Sequence, residues 1–311
     1  MDRLPAGASA ALPQLLGALE AVSGSSAAET PGVLALCSFV SEELGAELPS
    51  ERPTPSPEQL SQALPIEGQL ATTQRLALAA MLVPPLDAAR LDRLEAYAAA
   101  LGQAELPVLR DLRLALAGHH RRLTSGLMRR FPPMQRVRSA WRAGSAGARW
   151  RLVKAMARLP DRGTAARYAA LAELPEGTLG RGYFEHCRQN GFVLPGERGG
   201  LPEAMTFHDM GHVLAGAPTD VAGETRMAGI EAGCMGAEGF TMLEFALLLF
   251  NLGAQLPTDA SPAIGQIDMG LLLASFEEGQ RSRFPVLEWQ PWEEIERPLS
   301  ELRARYGLSA G

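Results

Sequence analysis

Apolar residues recur at three- and four-residue spacing along most of the chain and strict alternation is almost absent, so the pattern predicts an all-α fold. Leu91, Leu94, Tyr97 and Leu101 draw one such stripe. Asp87 ahead of it suits an N-cap, and Gly102 after it suits the residue that ends a helix. Four more segments before residue 125 read as helices: "ALPQLLGALEAV", "GVLALCSFVSEEL", "TTQRLALAAMLV" and "LPVLRDLRLALAGHHRRL". The proline tracts "ELPSERPTPSPEQ" and "VPPLD" separate them. After residue 169 a turn at Pro175 to Gly177 leads into a short helix that Gly191 ends. Helices are then predicted at about 203–215, 221–237, 239–255, 262–282 and 292–306.

The middle of the chain changes character. Pro132, Pro133 and a Gly/Ser/Ala break at residues 143–148 mark a boundary. It divides an N-terminal helical module (1–128) and a basic, tryptophan-containing linker or helix (129–164) from a C-terminal helical domain (165–311). Between Gly126 and Tyr168 there are eleven Arg or Lys against one acid, Asp161, although the net charge is -6. The acidic whole argues against a nucleic-acid partner. The basic stretch, with Trp141 and Trp150, is either a solvated linker helix docked through its tryptophan or a contact with an anionic bilayer.

An apolar share of 46% fits a soluble globular protein, and three scattered cysteines argue for a reducing, cytoplasmic setting. The first residues, with Asp2 and Pro13, lack the apolar core of a signal peptide. Glu231, Glu238, Glu244 and Asn251 interrupt the longest apolar region, so no membrane-spanning helix is expected.

Candidate chemistry concentrates in "TFHDMGHVLAGAPTDVAGE", which holds two of the five histidines. His208 and His212 are four residues apart and share a helix face. Gly216, Pro218 and Asp220 end that helix and cap the next, a turn that would bring Glu224 back toward the imidazoles. Two imidazoles and one or two carboxylates suit a divalent metal with an open position. Asp209 either ligates or orients from behind, and Asp209 and Glu224 are the candidate catalytic residues. Glu231, seven residues past Glu224, is the alternate ligand or substrate contact, or a plain ion pair. The HDxxH string is also similar to the zincin HExxH motif, but no third zincin ligand follows. A hydrolase with Asp209 or Glu231 as base is the weaker alternative. His186 reads as packing or capping, and adjacent His119 and His120 make a poor pair.

His208, Asp209, His212 and, after eleven residues, Glu224 resemble the signature of the coenzyme Q biosynthesis protein 4 family. "LPEGTLGRGYFEHCRQNGF" and "VLEWQPWEEIERPLSELRARYGL" extend the likeness over about residues 165–308. The N-terminal half lies outside it and resembles, faintly, tellurite-resistance TerB-like helical domains. Gly211 departs from the bulky residue common in the family.

The resemblance implies a bacterial ubiquinone-biosynthesis protein, peripheral to the inner membrane. It would bind a divalent metal and be associated with oxidative decarboxylation at ring carbon 1 of a polyprenylated 4-hydroxybenzoate-type intermediate. The other view of the family is a prenyl-lipid-binding scaffold that organises further quinone-biosynthesis proteins; a homodimer is compatible with either. Zinc suits the ligands, while manganese, iron or cobalt would suit redox work with oxygen. Phe245 and Leu249 in "MLEFALLLFNLGAQL" either line a channel for the prenyl tail or belong to the core. Arg181, beside Tyr183, either meets an anionic headgroup or ring carboxylate or forms a surface ion pair.

Overall fold

The computed structural model describes residues 1–256 and 264–310. Among them the chain is helical, with no sheet; the only β pairings are two isolated bridges, Thr178 with Pro298 and Leu252 with Ile264. The first half contains α1 (Leu12–Ser23), α2 (Pro31–Glu43), α3 (Pro57–Ala63), α4 (Gln69–Met81), α5 (Ala88–Ala100), α6 (Pro107–Leu116) and α7 (His120–Arg130). The basic stretch forms α8 (Pro133–Ala143) and α9 (Ala146–Met156). The remainder contains α10 (Arg162–Ala169), α11 (Leu179–Gln189), α12 (Thr206–Ala215), α13 (Val221–Cys234), α14 (Gly239–Phe250), α15 (Met269–Arg281) and α16 (Leu299–Tyr306).

The punctuation residues act as their chemistry dictates. Asp87 accepts from the Arg90 amide at 2.9 Å and starts α5, and Gly102 follows its end at φ 68°. Gly118, at φ 69°, breaks the segment read as one helix into α6 and α7. The helix expected from 262 starts there outside the described residues; its described part is α15, which begins only at Met269, capped by Asp268. The one expected from 292 is a short 3-10 turn followed by α16, because Pro298 supplies the N-terminal boundary.

The expected boundary near residue 129 does not divide the core. One hydrophobic cluster runs from Met1 to Leu308, with α2 against α15 and α4 against α14. Asn251, buried at the end of α14, donates to the carbonyls of Met81 (2.6 Å) and Leu82 (3.0 Å) at the end of α4. At the centre α13 lies directly on α15. A Cβ on Gly229 would sit 2.5 Å from Leu272 O, one on Gly233 2.1 Å from Phe276 O, and one on Gly279 2.2 Å from Ile230 O. These glycines bring two backbones together and leave no groove between them.

No helix among the described residues is long and apolar enough to cross a membrane. The basic segment is fixed by arginine: Arg136 of α8 donates to the carbonyls of Val286 (3.0 Å), Leu287 (2.8 Å) and Trp289 (2.7 Å) and lies 4.5 Å over the Phe207 ring of α12. Its tryptophans are not what docks it, since Trp141 is 46% and Trp150 64% exposed.

Candidate metal centre

The turn between α12 and α13 builds the site. Gly216 adopts φ 66°, a left-handed conformation that ends α12. Asp220 caps α13 by accepting from the Gly223 amide at 2.9 Å, and Gly223 has no room for a Cβ, which would meet Pro218 O at 1.9 Å. The chain therefore reverses tightly enough to set the first turn of α13 against the last two turns of α12.

Three ligand atoms converge there. His212 Nε2 is 3.3 Å from His208 Nε2, and Glu224 places Oε2 3.4 Å from His208 Nε2 and Oε1 3.4 Å from His212 Nε2. A tetrahedral ion with bonds of about 2.0–2.1 Å separates its ligand atoms by about 3.3–3.4 Å. Each contact has the length of one such edge, although the carboxylate turns a different oxygen to each ring; ligand atoms, one from each of the three residues, lie within 4.8 Å of one another. Three protein ligands would leave the fourth corner to another molecule. The His208 side chain is 32% exposed and that of Glu224 19%, so that corner is reached from solvent.

Both imidazoles are engaged at Nδ1 by acceptors behind them. His208 Nδ1 is 2.9 Å from Glu231 Oε1, and His212 Nδ1 is 2.8 Å from Pro218 O and 3.2 Å from Ala217 O. With each Nδ1–H directed outward, Nε2 is the nitrogen of each ring turned to the centre, free to ligate once it carries no proton. Burial disfavours charge on His208, but the Glu231 and Glu224 carboxylates outweigh it and raise the imidazole well above its ordinary value. Burial likewise works against Glu224, and the two histidines outweigh it, holding the carboxylate well below its usual range. These are the polarities of a site built to concentrate positive charge.

The other candidate residues take different places. Asp209 is not among the converging ligands; it is buried at 9% exposure and its charge acts on Tyr183 and Cys187 of α11. Glu231 lies outside the converging group as the partner of His208 Nδ1, 1% exposed and with its second oxygen unpartnered. Seven residues past Glu224 is about 10 Å along the helix, so the two carboxylates fall on opposite nitrogens of one ring.

Tyr183 is buried at 1% and packs 5.9 Å from Tyr168. Arg181 pairs with Glu185 at 2.6 Å on its own helix. Leu249 is core at 1% exposure, and Phe245 stacks 4.6 Å from Phe131. Gly211 faces Met227, whose Cε would lie 2.8 Å from a Cβ there, so the volume of a bulky residue at 211 is filled from α13.

His186 has a place the sequence did not suggest. Its ring lies 6.0 Å from that of His212, and its buried Nε2 has no partner. Burial first, then the His212 and His208 charges, pull it down to about 4. Only the face of α11 turned to α12, which spacing along the chain does not reveal, would have found it.

Comparison of the chain with protein-family models, with curated proteins and with solved structures gave no match. Fold and site together define an all-α protein with a candidate two-histidine, one-glutamate cation centre at a helix–turn–helix reversal.

Proposed function

We propose that the chain is a metal-dependent enzyme that acts on a prenylated aromatic acid at a membrane surface, in the manner of the coenzyme Q biosynthesis protein 4 family. The observation that carries the reading is the open triangle of His208, His212 and Glu224, whose ligand atoms lie within 4.8 Å of one another and whose imidazoles are both engaged from behind at Nδ1. These three residues would hold a divalent ion: zinc for polarisation alone, manganese, iron or cobalt where oxygen is reduced. When bound, the ion supplies Lewis acidity toward a ring carboxylate or an oxygen species at the open corner. The reaction is an oxidative decarboxylation at ring carbon 1: the carboxyl leaves as carbon dioxide, one atom of dioxygen supplies the hydroxyl that replaces it, and the other leaves as water with two electrons and two protons from an external two-electron reductant.

With α14 committed to the core, the prenyl tail stays in the bilayer. The exposed Trp150, Val153, Met156 and Leu159, set among arginines, form the face that would meet an anionic leaflet. The test joins metal analysis of purified protein to a product assay on the prenylated acid. Wild-type protein carries one metal per chain and releases carbon dioxide. His212→Ala and Glu224→Ala lose both. A metal-free variant that turns over normally refutes the reading, and bound prenyl lipid without turnover replaces it with a scaffold.

A further inference from the structure

One polar group beside the centre has no role in the arrangement described so far. His186 of α11 stands 6.0 Å from the His212 ring, tilted by 33°, and Phe192 covers it on another side at 5.7 Å. Its Nε2 is buried without a hydrogen-bond partner. Such nitrogens are ordinarily paired, because a bare one has given up water for nothing. The helix end that carries it is pinned to the turn that closes the site: Asn190 Nδ2 donates to His186 O at 2.9 Å, and Thr219 Oγ1 donates to Asn190 Oδ1 at 2.7 Å.

We propose that His186 is the anion-binding residue of this centre, its Nε2–H donating to the outer oxygen of a carboxylate whose other oxygen occupies the open corner of the His208–His212–Glu224 triangle. The proposal rests on that triangle holding a divalent cation, and adds the residue that selects what lies opposite. The triangle itself offers the incoming molecule no donor, because both Nδ1 hydrogens already go to Glu231 and to the 217–218 carbonyls. A neutral imidazole supplies one N–H. Water at the open corner points its hydrogens outward and leaves that N–H unanswered. A carboxylate presents a second oxygen to it, and a charge-assisted bond results.

The test uses full-length protein loaded with cobalt(II) and titrated with benzoate, the visible d–d absorption of cobalt reporting carboxylate binding. Wild type is compared with His186→Phe, which keeps a ring against Phe192, and His186→Gln, which keeps a donor. Cobalt content is expected to be one per chain in all three. The benzoate Kd rises about tenfold in His186→Phe, and His186→Gln recovers most of it. Should His186→Phe melt early, His186→Met carries the same comparison. Equal benzoate affinity in wild type and His186→Phe overturns the assignment and leaves the metal centre standing. Loss of cobalt from a folded His186→Phe makes the residue a ligand and overturns the assignment as well. Wild-type protein that takes up no cobalt ends both this inference and the functional reading.

Discussion

Replacing Glu231 by glutamine removes one charge at nearly constant shape. In the native protein the carboxylate is 1% exposed and accepts from His208 Nδ1 at 2.9 Å. Solvent does not screen that bond, so the negative charge raises the basicity of Nε2 on the far side of the ring. The glutamine oxygen still accepts the hydrogen but carries no charge. Loss of such an outer partner typically weakens metal binding 10- to 100-fold, about 1.4 to 2.8 kcal/mol.

Two effects oppose each other at low pH. Glu231 also raises the His208 imidazole well above its ordinary value, so a proton competes with the cation for the same nitrogen. In Glu231→Gln that competition weakens and offsets part of the lost basicity. As pH rises the competition fades in both proteins and only the lost basicity remains. The deficit of Glu231→Gln therefore widens with pH, and fewer protons are released on binding. Competition against a chromophoric chelator from pH 6.5 to 9, with proton release measured in parallel, reads both quantities. A variant within threefold of wild type at every pH, releasing as many protons, refutes the coupling of Glu231 to the centre.

Three further outcomes test the frame around the site. Gly233→Ala places a Cβ 2.1 Å from Phe276 O and 2.7 Å from Gln280 N, so α13 and α15 must separate at a cost of at least about 2 kcal/mol; thermal melting should fall by several degrees, whereas Gly147→Ala, with open space around it, should leave it unchanged. Glu244, fully buried on α14, is raised from 4.5 to about 7 because burial outweighs Arg130, a cation that Asp111 shares. Between those values the folded protein holds a proton the unfolded chain has released, so stability falls as pH rises through the window, by about 3 kcal/mol; Glu244→Gln should flatten that part of the urea-midpoint profile, and parallel profiles would contradict it. Trp150→Ala combined with Val153→Ala should reduce co-sedimentation with anionic vesicles several-fold at 0.1 M salt, and undiminished binding would remove the bilayer from the functional reading.

Much of the site was legible because its parts lie close in sequence and each has a strong local preference. Four-residue spacing sets His208 and His212 on one face of α12. Gly216 tolerates the left-handed turn, and Asp220 starts the next helix with its side chain. Those two signals fix the reversal, and Glu224, four residues after the cap, has little choice but to face the imidazoles. Asp87 and Gly102 were legible for the same reason.

What escaped the sequence depends on which helix lies against which. Periodicity shows that α13 has Glu224 and Glu231 on nearly one face, but not that the His208 ring stands between them, so a supporting carboxylate reads as a ligand. His186 is more than twenty residues before the motif and joins it only because α11 packs on α12. Residues 129–164 read as a linker because arginine dominates them and a Gly/Ser/Ala break at 143–148 interrupts them. Yet Arg136 reaches three carbonyls at 286–289, covers the ring next to His208, and places its charge where Glu231 acts on it. The boundary drawn at that segment thus falls on a clamp: α8, which presents Trp141 to the outside, also covers the start of α12 through Arg136, whose charge is acted on by the carboxylate behind His208. Surface and centre thus share one guanidinium, which lies on the ring next to His208 and feels the charge of Glu231 behind it.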